Sequence, residues 1–257
     1  MFCYPGKNYK KQKINKINDK IRICDQCSLS SVRVNAICGE GDLNARLFFI
    51  AQAPGEVEDQ ENKMFIGPTG KVIDELFREA HIKRDEIYMT NLIKCKLPKN
   101  LKPKQNEIEQ CSQYLIQEIA IVNPKFLIPM GYYAAKFVFN HYCIEDNLPS
   151  DSAGKLFFCK NIKIYSLKHP SSIIYNPAFM QTMKQHFKKL TILMKNCKWY
   201  PVCPMKWFYE QGKLNKKWIE MYCKGDWKSC VRYQMEESDK YHPDNMLPDG
   251  TICNDLI

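Results

Sequence analysis

No stretch of this chain approaches the roughly 18 consecutive apolar residues that a membrane-spanning helix needs. The Lys-rich start also lacks the apolar segment of a secretory signal. No membrane partner is expected, and the expected location is cytoplasmic. The sequence holds no internal repeat, and its only low-complexity feature is a Lys and Asn bias at the start. None of its four tryptophans, Trp199, Trp207, Trp218 and Trp227, precedes residue 196. Apolar residues are plentiful at 45% of 257, enough for a substantial core. Cysteine is abundant too, at thirteen residues. In a reducing compartment these are not read first as disulfides, so their spacing is tested against metal or cluster ligation.

The net charge of +10 is unevenly placed. Residues 197–257 hold nine Lys and Arg against nine Asp and Glu, so the whole excess lies in residues 1–196. That part has the charge of a polyanion binder, although the run Lys7, Lys10, Lys11, Lys13, Lys16 and Lys20 reads by itself as a solvated helix or tail. The tryptophans and the neutral balance together place a domain boundary between residues 196 and 197.

Before that boundary apolar runs alternate with helical patterns. RLFFIA (46–51) reads as a buried strand, followed by a helix through Pro68-Thr69-Gly70 with Val72, Ile73, Leu76, Phe77 and Ala80 on one face. EIYMTNLI (86–93) and KFLIPM (125–130) read as further strands. Between them lies a helix facing Ile108, Cys111, Leu115, Ile119 and Val122 inward. A helix from Gly131, a hairpin over 157–167 and a last helix from about Pro177 to Lys195 complete the pattern. The alternation predicts an α/β fold, a mainly parallel sheet with helices on both faces. Ligands bind such sheets beyond the carboxyl ends of the strands. Gln52-Ala53-Pro54-Gly55, Asn91 and His169-Pro170-Ser171 all fall there.

Cys24-x2-Cys27 is a two-ligand clip, and Cys95 and Cys111 would complete four thiolates if the sheet brings the pairs together. Four thiolates suit structural zinc or an iron–sulfur cluster, and buried core thiols remain the alternative for Cys95 and Cys111.

Several segments together, CDQC (24–27), VRVNAICGEGDLNARLFFIAQAPGEVED (32–59), MFIGPTGKVIDELF (64–77), YMTNLIKCKLPKN (88–100), the region from Glu109 to Cys111, FLIPMGYYAA (126–135) and LKHPSSIIYNP (167–177), resemble the iron–sulfur uracil-DNA glycosylases, often called family four. The resemblance spans roughly residues 20–195. It implies a three-layer αβα sandwich with a short, mainly parallel sheet and a structural [4Fe-4S] cluster on Cys24, Cys27, Cys95 and Cys111. It also implies uracil-containing DNA as partner, with hydrolysis of the N-glycosidic bond leaving an abasic site. His169 would donate to uracil O2, Asn91 would read the N3 and O4 edge, and Phe65 would stack on the ring. Pro54-Gly55 would either form a tight turn or bring the backbone close to the flipped nucleotide, with Ala53 beside them in the binding set. Ser171 and Ser172 would meet a phosphate or cap a turn, and Ile173, Ile174 and Tyr175 would form a wedge.

One position departs from the family pattern. The first motif usually reads Gly-Glu followed by Ala or Gly, Pro and Gly, the Glu serving the attacking water; here Ala51-Gln52 stands in its place. Gln52 cannot take a proton but can orient a water. Glu56, Glu58 and Asp59 are candidates to substitute for it, or else surface charges or loop contacts. The basic insert that marks a related class able to trap DNA covalently is absent, so covalent trapping is not expected. A glycosylase for another deaminated base, or a protein that binds uracil or damaged DNA without cutting, are the alternatives that Gln52 keeps open.

In the last segment Cys197, Cys203, Cys223 and Cys230 supply four thiols within 34 residues. A unit of about 60 residues is short of apolar mass and usually needs a staple. A small metal-stapled module over 197–257, with a second [4Fe-4S] cluster or zinc, is expected. Cys3, Cys38, Cys143, Cys159 and Cys253 have no constellation.

Overall fold

The computed structural model describes residues 7–98, 102–142, 152–159, 162–197, 199–238 and 240–256; Cys3 and Cys143 lie outside them. The basic start is a helix, α1 (Lys7–Arg22), and it is not simply solvated. Ile14, Ile17 and Ile21 recur at helical spacing among the lysines and are buried. Lys10 is buried as well, its Nζ donating to the carbonyls of Leu43 and Val122 at 3.0 Å each.

The chain then runs through β1 (Glu40–Gly41), β2 (Leu47–Ala51), α2 (Glu56–Glu61), α3 (Pro68–Glu79), β3 (Tyr88–Asn91), α4 (Gln105–Val122) and β4 (Phe126–Pro129). After these come α5 (Tyr132–His141), β5 (Leu156–Cys159), β6 (Ile162–Tyr165), α6 (Ser171–Tyr175) and α7 (Phe179–Leu193). The six strands form one sheet in the order β1-β3-β2-β4-β6-β5. Its four central strands are parallel, while β1 and β5 pair antiparallel at the edges. The sheet is therefore mixed, with the expected parallel centre.

Alternate residues of each central strand feed two separate cores, as the period of two in a strand requires. Phe48, Ile50, Tyr88, Leu127 and Ile164 pack with α1, α4 and α5. Leu47, Phe49, Met89, Ile128 and Tyr165 pack with α3, α6 and α7. On the second face the Phe49 ring meets Phe77 edge-on and stacks with Phe187, centroids 5.2 and 6.2 Å apart. Truncating such a ring to Ala costs about 3–5 kcal/mol.

Beyond residue 196, α8 (Pro204–Glu210), α9 (Lys216–Trp218), which runs on into a π turn over Ile219–Cys223, and α10 (Val231–Glu236) surround a third, smaller cluster. Met205, Phe208, Leu214, Ile219, Cys223 and Leu256 are its buried members. It is tied to the sheet edge by Lys163, which donates to the Lys224 carbonyl at 2.6 Å and pairs with Glu220 at 3.1 Å, and to α7 by the pair Lys189–Asp226 at 2.5 Å. No helix among the described residues is long and apolar enough to cross a membrane.

Candidate active site

Strand register brings the distant motifs to one rim. Ala51 pairs with Asn91 across β2 and β3, the Leu92 amide donates to the Ala51 carbonyl at 2.8 Å, and the Ile93 amide to that of Gln52 at 2.9 Å. The Gly131 amide, after β4, donates to the Leu167 carbonyl at 2.8 Å, which sets the segment carrying His169 beside it. The carboxyl ends of four parallel strands thus open on one cleft, enclosing about 1580 Å³ of empty space out to its mouth. Gln52, Ala53, Pro54, Gly55, Phe65, Asn91, His169 and Ser171 all line it.

His169 is held in one tautomer. Its Nδ1 accepts from the Ser171 amide at 3.2 Å and lies 2.7 Å from the Ser171 hydroxyl, so the ring proton resides on Nε2. Burial pushes the imidazole down to about 4, leaving it neutral at pH 7. The Ser171 hydroxyl therefore serves the imidazole rather than standing free for a phosphate, and the Ser172 hydroxyl is buried with no partner among the described residues. Gly131 has a φ of 87°, and a Cβ there would sit 3.0 Å from that of His169. Only glycine admits both this backbone and the close approach.

Asn91 is buried at the end of β3, and its Nδ2 donates to the Met64 sulfur at 3.2 Å. A thioether only accepts, so Met64 fixes which end of the amide is nitrogen. Phe65 follows with φ 52°, a left-handed conformation that is uncommon for an aromatic residue and calls for support from its surroundings. Of that support, the parts played by Arg84 and Glu40 were not anticipated from the sequence. The Glu58 carboxylate accepts from the amides of Ile66 and Gly67 at 3.1 and 2.9 Å, Arg84 Nη2 donates to the Phe65 carbonyl at 2.8 Å, and Glu40 accepts from the Met64 amide at 3.0 Å. Gly70 completes the loop, since a Cβ there would collide with the Phe65 carbonyl oxygen at 1.9 Å.

The acids after Gln52 are all engaged. Glu56 pairs with Lys96 at 2.8 Å, Glu58 holds the Phe65 loop, and the fully buried Asp59 accepts from the amides of Val34 and Asn35 at 3.1 and 3.0 Å. Glu58 is thus the loop contact among the alternatives, and Asp59 is a buried brace rather than a surface charge. The Gln52 side chain has no hydrogen-bond partner among the described residues. The three-residue wedge is corrected as well: Ile173 points into the core, whereas Ile174 and Tyr175 are exposed at the cleft, Tyr175 by 83%. Helical spacing within α6 turns the first of the three inward.

Cys24, Cys27, Cys95 and Cys111 line one cavity with about 330 Å³ of empty space out to its mouth. Packing of α1 against α4 delivers the clip to Cys111, and Cys95 follows four residues after Asn91. Arg33 Nη1 donates to the Cys95 sulfur at 3.1 Å, and the Lys94 amide to that of Cys111 at 3.1 Å. Burial pushes the Cys111 thiol up to about 12, so a bound cation must replace its proton if it is to ligate. Cys197, Cys203, Cys223 and Cys230 line a second such cavity, and there burial pushes Cys230 up to about 11. No three Cys, His, Asp or Glu side chains among the described residues converge as ligands of one metal ion do.

The model of the uracil DNA glycosylase superfamily matches residues 38–192, the span from just before β1 to the end of α7. The chain is 34% identical over 210 residues to a type-4 uracil-DNA glycosylase of Saccharolobus solfataricus, covering 78% of this chain and 94% of that one. It is 31% identical over 210 residues to the type-4 uracil-DNA glycosylase of Sulfurisphaera tokodaii, covering 80% and 93%. It is 30% identical over 183 residues to that of Archaeoglobus fulgidus, covering 70% and 92%. The matched span contains the whole six-stranded sheet and every residue lining its cleft, and the chain belongs to the uracil DNA glycosylase superfamily.

Proposed function

We propose that this protein is a monofunctional uracil-DNA glycosylase that hydrolyses the N-glycosidic bond of uracil in DNA and leaves an abasic site. The observation that carries the reading is the neutral His169, its Nδ1 occupied by Ser171 and its Nε2–H left to donate, sharing a strand-end cleft with Asn91 and Phe65. The names of the relatives favour uracil over another deaminated base and over binding without cleavage.

A nucleotide flipped from the stack enters the cleft, where Phe65 stacks on its ring. Asn91 Oδ1 accepts from uracil N3–H and Nδ2 donates to O4, an orientation that the Met64 sulfur supports. As the bond breaks the sugar becomes cation-like and charge collects on uracil O2, where the Nε2–H of His169 stabilises it. A donor whose proton is already in place needs no reorganisation at that moment. Gln52 orients the water that attacks the sugar, and the backbone of Ala53, Pro54 and Gly55 borders the nucleotide.

Cys24, Cys27, Cys95 and Cys111 fit a [4Fe-4S] cluster: four thiols share a cavity too spread for a single ion, with Arg33 supplying a compensating charge. Such a cluster would cross-link α1, the segment after β3 and α4, a structural role without redox chemistry. Residues 1–196 form the glycosylase domain in this reading, and residues 197–257 an appended module.

Cleavage of a single-uracil oligonucleotide, revealed by alkali at the abasic site, tests the proposal. Native protein should cut, and His169→Ala should cut about 100- to 1000-fold more slowly, the usual loss of one charge-stabilising donor. Native protein that binds the oligonucleotide without forming abasic sites would overturn the reading.

A further inference from the structure

The cavity in the C-terminal segment holds about 520 Å³ of empty space out to its mouth, against about 330 Å³ for the first cysteine cavity measured the same way. Cys197 precedes α8, Cys203 caps its start, Cys223 ends the π turn and Cys230 caps α10, so the four thiols arrive from separate elements. Each lies within electrostatic reach of the other three. The amides of Trp199 and Tyr200 point at the Cys197 sulfur, and those of Arg232 and Tyr233 at that of Cys230.

Two further donors line this space with nothing to donate to. Arg232 is 3% exposed; its Nη1 donates to the carbonyls of Pro243, Asp244 and Met246 at 2.8, 3.0 and 2.8 Å, yet its Nε has no partner among the described residues. Trp227 Nε1 is also buried and unpartnered. The guanidinium forms no ion pair among the described residues, and the one carboxylate that lines the same cavity, Glu236, is turned to His242 at 3.0 Å. Leaving buried N–H groups without an acceptor is costly. A metal–thiolate centre with a net negative charge and sulfur acceptors would satisfy both donors.

Zinc on four thiolates would carry a similar charge, so spacing decides between the metals. Tetrahedral zinc at about 2.3 Å from each sulfur draws the sulfurs to about 3.8 Å from one another. A cuboidal four-iron cluster places its ligating sulfurs on four separate irons and holds them farther apart. The thiols here surround a cavity and do not converge on one point. We propose that Cys197, Cys203, Cys223 and Cys230 ligate a second [4Fe-4S] cluster, with Arg232 as its buried counter-charge and Trp227 as a donor to its sulfur. The cluster serves as the staple for a segment whose apolar core has six buried members among the described residues.

The test is an iron, acid-labile sulfide and zinc count on the full chain purified without oxygen, beside Cys95→Ser, Cys223→Ser and Cys203→Ser. About eight irons and eight sulfides are expected per native chain, with about half lost on replacing a ligand of either cavity. About four irons with one zinc, the zinc lost in Cys223→Ser or Cys203→Ser, would overturn the inference. So would about four irons that both of these variants retain. Iron that survives Cys95→Ser but falls in Cys203→Ser would instead sink the first cluster and keep the second. Cys203 is only half-buried and lies outside the buried core, which keeps the comparison open should Cys223→Ser fail to fold.

Discussion

Replacing Gln52 by Glu should accelerate base removal. The Gln52 backbone is fixed by its bond to the Ile93 amide at 2.9 Å, and its side chain lines the cleft without a partner among the described residues, so a carboxylate there would be free to act. No neighbouring acid already fills the role: Glu56 is paired with Lys96, Glu58 with two loop amides and Asp59 with two more. A carboxylate about 5 Å from a cation-like sugar, at an effective dielectric of about 20, stabilises it by about 3 kcal/mol. That corresponds to about 200-fold in rate. A general base contributes about 100- to 10,000-fold, so the two estimates overlap near a few hundredfold. The assay is single-turnover cleavage of a uracil oligonucleotide with enzyme in excess, which isolates chemistry from product release. An unchanged or slower Gln52→Glu rate, with oligonucleotide affinity preserved, would refute the claim that the water lacks a base here.

His169 should show no titration between pH 5 and 8 when its ring protons are followed by NMR, and a midpoint near 6.5 would contradict the neutral tautomer. Because its folded value lies below its unfolded one, the unfolded chain binds the extra proton first. Stability should therefore fall as pH drops from about 6.5 to 4, by at most about 3 kcal/mol, and His169→Gln should flatten that slope in urea titrations. Met64→Leu should leave uracil cleavage within a few-fold but lower discrimination against cytosine about tenfold, the worth of one weak hydrogen bond orienting the Asn91 amide. Unchanged discrimination in paired uracil and cytosine substrates would remove Met64 from the base-reading set. Glu118→Gln should destabilise the fold by about 3–5 kcal/mol, since it strips the counter-charge from Lys94, whose Nζ is 2.6 Å away and buried. Lys94→Met with Glu118→Leu should recover much of the loss, and thermal melts of the single and double variants decide.

The parts of the fold legible in the sequence are those that local pattern determines. Within the runs at 46–51 and 125–130, residues 47–51 and 126–130 are buried on both faces, and the helix after Gly67 carries its apolar residues at helical spacing. Their carboxyl ends therefore gather Gln52, Asn91 and His169 as expected. What escaped depends on contacts between distant segments. The stripe of Ile14, Ile17 and Ile21 is hidden by the surrounding lysines, and burial of Lys10 makes sense only once the Val122 carbonyl lies beside it. The left-handed Phe65 and its supports Arg84 and Glu40 have no signature in residue type, because separate elements meet at one loop. Ile173 shows the limit from the other side: three consecutive apolar residues look alike in sequence, and only the turn of a five-residue helix decides which of them faces water.

Three residues separate Asn91, which faces the cleft, from Cys95, which faces the first cysteine cavity. Such a segment spans at most about 14 Å even fully extended, and the Lys94–Glu118 ion pair pins it near its far end. It behaves as a short strut between two rooms of the molecule. If Asn91 reads the base as proposed, loosening the cysteine cavity should lower discrimination between uracil and cytosine in Cys95→Ser without touching any group in the cleft.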